Sequence, residues 1–247
     1  MKLRVIGPGR AGGSLSSALA SRGWRIEPPV LRGDDPRSAA RGVDWLVVAT
    51  PDAAIADVAD RVEPVTDTLV VHLSGALGLD VLAPHPRRAS LHPLVSLPNP
   101  DLGARRLTAS WFAVAGDEAV REAVTALEGR CFEVPDETRA AYHAAACIAS
   151  NHLVALLGQV ERIAAAVGAP LDAYLDLARQ SLENVAELGP SAALTGPVAR
   201  GDLATVARHL DALAPEERAA YEALAERAGR LIGRDDPTAR GRPRRAP

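Results

Sequence analysis

The stretch "VIGPGRAG", residues 5–12, decides how the N-terminal half of the chain is interpreted. It follows a short apolar segment at residues 3–6 and precedes small residues with helical spacing at 13–21. A GxGxxG pattern between a strand and a helix is typical of a loop whose backbone amides bind the pyrophosphate of a dinucleotide. The alternative is a tight glycine turn that binds no ligand.

The residue types in this loop fit three separate requirements of such a site. Gly7 permits the tight turn, Gly9 lets the backbone approach a pyrophosphate, and Gly12 lets the helix pack closely on the strand. We therefore predict that this loop binds the cofactor through Gly7, Pro8, Gly9, Arg10, Ala11 and Gly12. Thr50 and Pro51, which follow a later strand, are predicted to contribute to the same site.

The end of the second predicted strand bears on which nicotinamide cofactor binds. An NAD site usually carries an acidic residue there, whereas this chain has Arg32, which suits the 2′-phosphate of NADP. Asp34 and Asp35 follow closely and Arg37 suits either cofactor, so NADP is predicted and NAD stays possible.

The order of predicted elements indicates the fold class. Apolar runs that alternate with helical segments favour a doubly wound, mostly parallel sheet, and after Pro135 only helical patterns remain. We predict a Rossmann-like domain at 1–135, a helical substrate and dimerisation domain at 136–233 and a disordered tail at 234–247. The predicted strands lie at residues 3–6, 25–31, 45–49, 68–73, 89–92, 111–115 and 131–134, and the later helices at 137–167, 172–188, 202–213 and 216–232.

Composition excludes several classes of partner. A net charge of −3 gives no basic field for nucleic acid, and we expect no membrane association because no leader or apolar run of spanning length is evident. The cytoplasm is the expected compartment. Two cysteines are too few for a disulfide framework, and the six histidines show no metal-ligand spacing.

The carboxyl ends of the predicted strands should line the substrate cleft. They bring Thr50, Pro51, Ser74, Gly75 and His92 to one edge of the sheet. A purely structural role for His92 is left open, and the neighbouring His72 is expected to be an ordinary strand residue.

The segment "YHAAACIASN" supplies a second polar set. His143, Cys147, Ser150 and Asn151 would fall within an arc of roughly 100° on an α-helix, facing either a site or solvent. Further on, Arg200 in "LTGPVARGD" suits a bidentate carboxylate clamp, with an ion pair to Asp202 as the alternative.

Six stretches, "GPGRAG", "TPDAAI", "HLSGALGLDVL", "SLHPLVSLP", "YHAAACIASN" and "LTGPVARGD", resemble a family that joins a Rossmann-like domain to a helical domain of unknown function. Its layout is similar to the 6-phosphogluconate dehydrogenase superfamily, which includes pyrroline-5-carboxylate reductase and ketopantoate reductase. The resemblance implies an oxidoreductase, with some members regarded as an alternative ketopantoate reductase of pantothenate synthesis. Ordinary ketopantoate reductases carry Lys, Asn and Asn where this chain has His143, Cys147 and Asn151, so only Asn151 matches in type.

The residues and the resemblance together predict an NADP-dependent reductase of a small 2-keto acid, and the resemblance implies ketopantoate as that acid. His143 would donate the proton, Asn151 and Ser74 would orient the carbonyl, and Arg200 would hold the carboxylate. The alternatives are a cyclic imine reductase and a nucleotide-binding sensor without catalysis. A hydrolase is disfavoured because "LSGAL" lacks the GxSxG elbow. The alanine-rich helical half predicts a homodimer.

Overall fold

The computed structural model describes residues 1–233. The predicted tail at 234–247 lies outside the described residues. Contacts divide the chain into two compact units, the first covering residues 1–151 and the second beginning at His152. The domain boundary predicted at 135 lies just after the last strand. The boundary between the two compact units lies later, after Asn151, within the helical segment that follows.

The first unit is built on one seven-stranded sheet with the strand order β2-β1-β3-β4-β5-β6-β7. Neighbouring strands are parallel except β5 and β6, which run antiparallel. The predicted doubly wound, mostly parallel sheet is therefore confirmed. Its strands are β1 Lys2–Ile6, β2 Arg25–Ile26, β3 Trp45–Val48, β4 Leu69–His72, β5 Arg88–Pro93, β6 Trp111–Gly116 and β7 Arg130–Glu133.

The second strand is much shorter than the predicted range of 25–31. Pro28 and Pro29 follow β2 after one intervening residue, Glu27, and proline has no amide hydrogen to donate to a neighbouring strand. Pairing resumes only as a single bridge between Ile6 and Val30. This bridge still brings the chain to the glycine loop at the end of β1.

Eleven α-helices occur in the described residues, and after β7 no further strand forms there, so the predicted all-helical second half is confirmed. A π-helix, Ile148–His152, separates α5 from α6. Residues 196–200, within the glycine- and proline-containing stretch "LTGPVARGD", form a short helix. The α-helices are α1 Arg10–Ala20, α2 Asp52–Arg61, α3 Pro100–Leu107, α4 Arg121–Ala126, α5 Arg139–Cys147, α6 Leu153–Ala166, α7 Leu171–Leu188, α8 Pro190–Ala193, α9 Gly196–Arg200, α10 Leu203–Ala212 and α11 Pro215–Leu231.

Two apolar cores cover the two faces of the sheet. Alternate residues of the central strands point to opposite faces, so that Val5 and Val47 pack with Leu15 of α1, while Leu46 and Val48 pack with Ile55 of α2. Strands buried on both faces read as continuous apolar runs, which is why they stood out in the sequence.

The second unit has a smaller core and much exposed apolar surface. Val198, Val206 and Ala225 form its buried cluster. The helical stretch Asp136–Ala166, which spans the boundary between the two units, is long and apolar enough to cross a membrane, unlike the expectation from sequence. This follows from length and composition alone, and the most apolar part of the stretch is not buried.

Candidate active site

The glycine loop has the conformation that its sequence predicts. Gly7 has a φ of +82°, which an L side chain rarely adopts, and a Cβ there would lie 3.1 Å from the Ala49 carbonyl oxygen. A Cβ on Gly12 would lie only 2.7 Å from the Gly7 carbonyl oxygen and 2.9 Å from Ala49 Cβ. Both glycines are therefore required for α1 to pack this closely against β1 and β3.

Gly9 differs, because a Cβ there would have no heavy atom within 4 Å. It is the N-cap residue of α1, and no side chain caps that helix end. Nearby, the hydroxyl of Thr50 is buried without a hydrogen-bond partner among the described residues. Open space, free helix amides and an orphaned hydroxyl together fit a dinucleotide pyrophosphate.

The loop after the Ile6–Val30 bridge carries Arg32 on its surface. Asp34 accepts a hydrogen bond from the Leu31 amide at 2.7 Å, and Asp35 accepts one from the Arg37 amide at 3.1 Å. Both carboxylates thus bind the backbone of their own loop. Arg32 is exposed and has no ion pair or side-chain hydrogen bond in the described part of the chain.

Ser74, at the end of β4, has a fully used hydroxyl group. It donates to the Asp52 carboxylate at 2.7 Å and accepts from the amides of Ala76 and Leu77, both at 3.1 Å. As placed here, Ser74 fixes the loop after β4 and orients Asp52 at the start of α2. Its predicted role in orienting a carbonyl would require the bond to Asp52 to open.

Two histidines lie against Gly75, and a tyrosine bonds one of them. The Tyr142 hydroxyl lies 2.5 Å from Nδ1 of His92, and the ring centroids of His92 and His143 are 5.9 Å apart. A Cβ on Gly75 would lie 2.7 Å from Cδ2 of His143 and 2.8 Å from Nε2 of His92. We call His92, Tyr142, His143 and Gly75 the imidazole cluster, and only glycine leaves room for it.

Burial sets the charge of the groups in and beside this cluster. Burial, followed by the nearby His143 and the Arg139 charge, lowers the pKa of His92 to about 4. Burial and then the Arg139 charge likewise lower the pKa of His72 to about 4, while burial raises the pKa of Tyr142 to about 12. At neutral pH these three side chains are therefore uncharged hydrogen-bonding groups.

Strand register explains why polar side chains lie beneath α5. His72 pairs with Ser90 across β4 and β5, and paired residues share a face, as do Ser90 and His92 two positions apart. The buried Arg139 of α5 donates to Ser90 Oγ at 2.9 Å. The face of the sheet that packs its apolar residues against α2 therefore carries polar side chains at the ends of β4 and β5.

The predicted polar face of the helix is not α-helical throughout. His143 and Cys147 lie one turn apart in α5, with Sγ 3.9 Å from Nε2, but Ser150 and Asn151 lie in the π-helix and are exposed. A π-helix has more residues per turn and shifts every later position around the axis. Ser150 donates to Asn151 Oδ1 at 2.8 Å.

Arg200 is the last residue of α9 in the second unit and is exposed. The alternative ion pair with Asp202 is not formed among the described residues. Asp202 instead caps α10, accepting from the Thr205 hydroxyl at 2.7 Å and the Thr205 amide at 3.0 Å. These hydrogen bonds hold the pKa of Asp202 below its ordinary value.

Sequence inspection missed Asp52, Arg139 and Tyr142 as site residues. Tyr142 directly precedes His143 in the sequence, and this adjacency was the available signal. Nothing local marks Arg139, which is 1% exposed, as a buried residue. The described residues contain no group of three or more His, Cys, Asp or Glu side chains placed to hold a metal ion.

Solved structures similar to this chain share its fold across nearly their whole length. A protein from Bacteroides fragilis described as a candidate NADP oxidoreductase is 19% identical, with a TM-score of 0.76 over 93% of this chain and 98% of that one. A protein from Thermotoga maritima is 24% identical, with a TM-score of 0.69 over 93% and 98%. The NADP-bound pyrroline carboxylate reductase of Plasmodium falciparum is 14% identical, with a TM-score of 0.63 over 94% and 98%.

Sequence comparison points to one family. No curated protein matches the chain significantly. Residues 110–228 match the family model described as a domain of unknown function, DUF2520. Slightly less than half of the chain is thus similar to this family, and the chain has the layout of a Rossmann-like sheet followed by a helical part that the resemblance implied.

Proposed function

We propose that this protein is an NADP-dependent oxidoreductase that reduces a small 2-keto acid, with ketopantoate as the first substrate to test. The observation that carries the proposal is the open glycine loop at the same sheet edge as the imidazole cluster. Both lie at carboxyl ends of parallel strands, where ligands of open α/β sheets bind.

The loop residues would hold the cofactor. Gly7, Pro8, Gly9, Arg10, Ala11 and Gly12 would surround the pyrophosphate, with Thr50 and Pro51 beside it and Arg32 on the 2′-phosphate. NADPH would supply the hydride when bound. NAD stays possible because Asp34 and Asp35 lie close to Arg32 in the sequence.

The imidazole cluster would serve the other half of the reaction. Hydride addition to a carbonyl carbon leaves an alkoxide, and His143 would donate the proton that neutralises it. The uncharged pair of His92 and Tyr142 would stand beside His143 as further hydrogen-bonding groups. Asn151 and Ser74 as orienting residues, and Arg200 as the carboxylate clamp, are parts of the same proposal.

Fold similarity to pyrroline carboxylate reductase favours a cyclic imine as the second candidate substrate. The proton would then go to the amine nitrogen instead of an alkoxide. A nucleotide-binding sensor without catalysis is the third candidate function.

One assay series separates these functions. Purified protein is given NADPH with ketopantoate, with pyrroline-5-carboxylate, or with a panel of other keto acids, and cofactor oxidation is followed by absorbance. We expect oxidation with ketopantoate and its loss in His143→Ala. Oxidation with the imine alone would support the second candidate, and cofactor binding by thermal shift without any oxidation would support the sensor.

We also propose a cytoplasmic homodimer that binds neither nucleic acid nor membrane. Val154 of α6 and Leu177, Leu182 and Leu188 of α7 are all more than half exposed, which is costly in water. A second copy of the chain would cover this apolar surface. Light scattering at micromolar concentration should give twice the chain mass, and Leu182→Glu should shift it towards one chain; a monomeric wild-type protein contradicts the proposal.

A further inference from the structure

A buried arginine stands at the first turn of α5, the helix that carries two members of the imidazole cluster. Arg139 is 1% exposed, and its guanidinium donates to Ser90 Oγ at 2.9 Å and to the Val134 carbonyl at 3.1 Å. Its Nε lies 3.4 Å from Asp136 Oδ1. A buried charge costs free energy unless it is well paired, so this placement calls for a specific use.

Asp136, its charged neighbour, makes a second attachment. Oδ2 of Asp136 accepts a hydrogen bond from the Leu79 amide at 3.0 Å. The contact is close enough that a Cβ on Gly78 would lie 2.6 Å from the same oxygen. Asp136 thus fastens the segment that follows Gly75 to the start of the helical region.

The two attachments reach all three chain segments of the imidazole cluster. Ser90 lies two residues before His92 on the same face of β5, and Arg139 lies one helical turn before Tyr142 and His143. Asp136 reaches the loop that contains Gly75.

We propose that Arg139 and Asp136 are positioning residues, which hold α5, β5 and the loop after β4 in the register that the imidazole cluster requires. They act through Tyr142, His143 and His92 and do not touch substrate. The catalytic consequence rests on the proposed function, whereas the positioning itself does not.

The charge of Arg139 affects the pKa of His92, which an uncharged side chain that only filled space would not do. The groups that face His92 are His143 and Tyr142 of α5, Arg139, Asp52 of α2 and His72 of β4. His143, Arg139 and His72 lower the pKa of His92, and Asp52 raises it. Removing the guanidinium should therefore raise the pKa of His92 above about 4, although burial, the largest cause, remains.

The test compares wild type with Arg139→Met and Arg139→Lys in the full chain. Histidine titration by NMR should show a raised pKa for His92 in the Met variant and a value near that of wild type in the Lys variant. Turnover with the accepted substrate should fall by about a hundredfold in the Met variant, as expected for misplaced reacting groups, with the KM for NADPH within about twofold of wild type. The Lys variant should recover part of the lost turnover.

A second variant covers the case in which Arg139→Met does not fold. Asp136 is about half exposed, so Asp136→Ala should fold while releasing the Leu79 amide. It should change the NMR signals of His92 and His143 and lower turnover without changing NADPH binding. An unchanged His92 titration in the Met variant, or unchanged histidine signals in Asp136→Ala, would overturn the proposal. Because these readouts need no turnover, they stand even if no substrate is reduced.

Discussion

The hydroxyl of Tyr142 lies 2.5 Å from Nδ1 of His92, which joins helix α5 to strand β5 across fifty positions of sequence. The two rings also meet edge to face, with centroids 5.6 Å apart. Burial lowers the pKa of His92 and raises that of Tyr142, so neither side chain carries a charge at neutral pH. The pair is therefore suited to donating and accepting hydrogen bonds rather than to pairing with ions.

Replacing Tyr142 with phenylalanine should lower turnover by about tenfold and the free energy of unfolding by about 1 kcal/mol, because both depend on its hydrogen bond to His92. The aromatic ring would still pack against Phe132, whose centroid lies 5.8 Å away. Tyr221→Phe is the matched control, since Tyr221 bonds His209 at 2.7 Å in the second unit with the same edge-to-face geometry. Equal losses of turnover in the two variants would argue against a role for Tyr142 in the site.

Gly75→Ala should disrupt the imidazole cluster by steric overlap. The added Cβ would displace both His143 and His92, so we expect a loss of turnover of about a hundredfold while NADPH still binds. Gly158→Ala, where the nearest atom is an Arg162 side-chain nitrogen 3.9 Å away, should leave turnover unchanged. Turnover near the wild-type rate in Gly75→Ala would mean that the cluster takes no part in the reaction.

Two glycines of the same loop should respond differently to alanine. Gly12→Ala forces Cβ against backbone and should destabilise the fold by about 1 to 3 kcal/mol, measured by urea unfolding. Gly9→Ala adds a methyl group in open space, so the melting temperature should not change. The methyl group would keep the pyrophosphate away from the loop amides, so NADPH affinity should fall by about tenfold or more, the value of a hydrogen bond to a charged group. Undiminished NADPH affinity in Gly9→Ala would place the cofactor elsewhere.

Arg32→Ala should change cofactor preference rather than overall binding. Loss of a charged hydrogen bond to the 2′-phosphate should weaken NADPH by about tenfold or more. NADH lacks that phosphate, so its affinity serves as the internal control and should hardly change. Titration calorimetry with both nucleotides measures the ratio, and a parallel loss for both would exclude the proposed contact.

Mild acid should destabilise the fold through its buried histidines. The folded pKa of His72 is about 4, below the ordinary 6.5, so the unfolded chain binds a proton that the folded chain does not. Stability is therefore complete above about pH 6.5 and falls towards pH 4, by up to about 1.4 kcal/mol per pH unit for this fully buried group. Urea unfolding across this range should show a smaller slope in His72→Asn; identical slopes would refute the assignment.

The glycine loop could be predicted because its requirements are local. The φ of Gly7 and the closeness of Gly12 to Gly7 follow from a strand, a turn and a helix that are adjacent in the chain. Strand β2 was overestimated because Pro28 and Pro29 interrupt backbone pairing without interrupting the apolar pattern. The polar face predicted at residues 143–151 assumes an ideal α-helix, whereas Ser150 and Asn151 lie in a π-helix, which has more residues per turn.

The sequence by itself determined the alternation of strands and helices, the glycine loop and the change to helices after Pro135, because periodicity and turn chemistry act over a few residues. Tertiary structure alone decided that Arg139 is buried on Ser90, that Tyr142 meets His92 and that only glycine at position 75 leaves room for two imidazoles. These contacts join segments far apart in the chain, and the sheet order and strand register that bring them together are set by the packing of the whole unit.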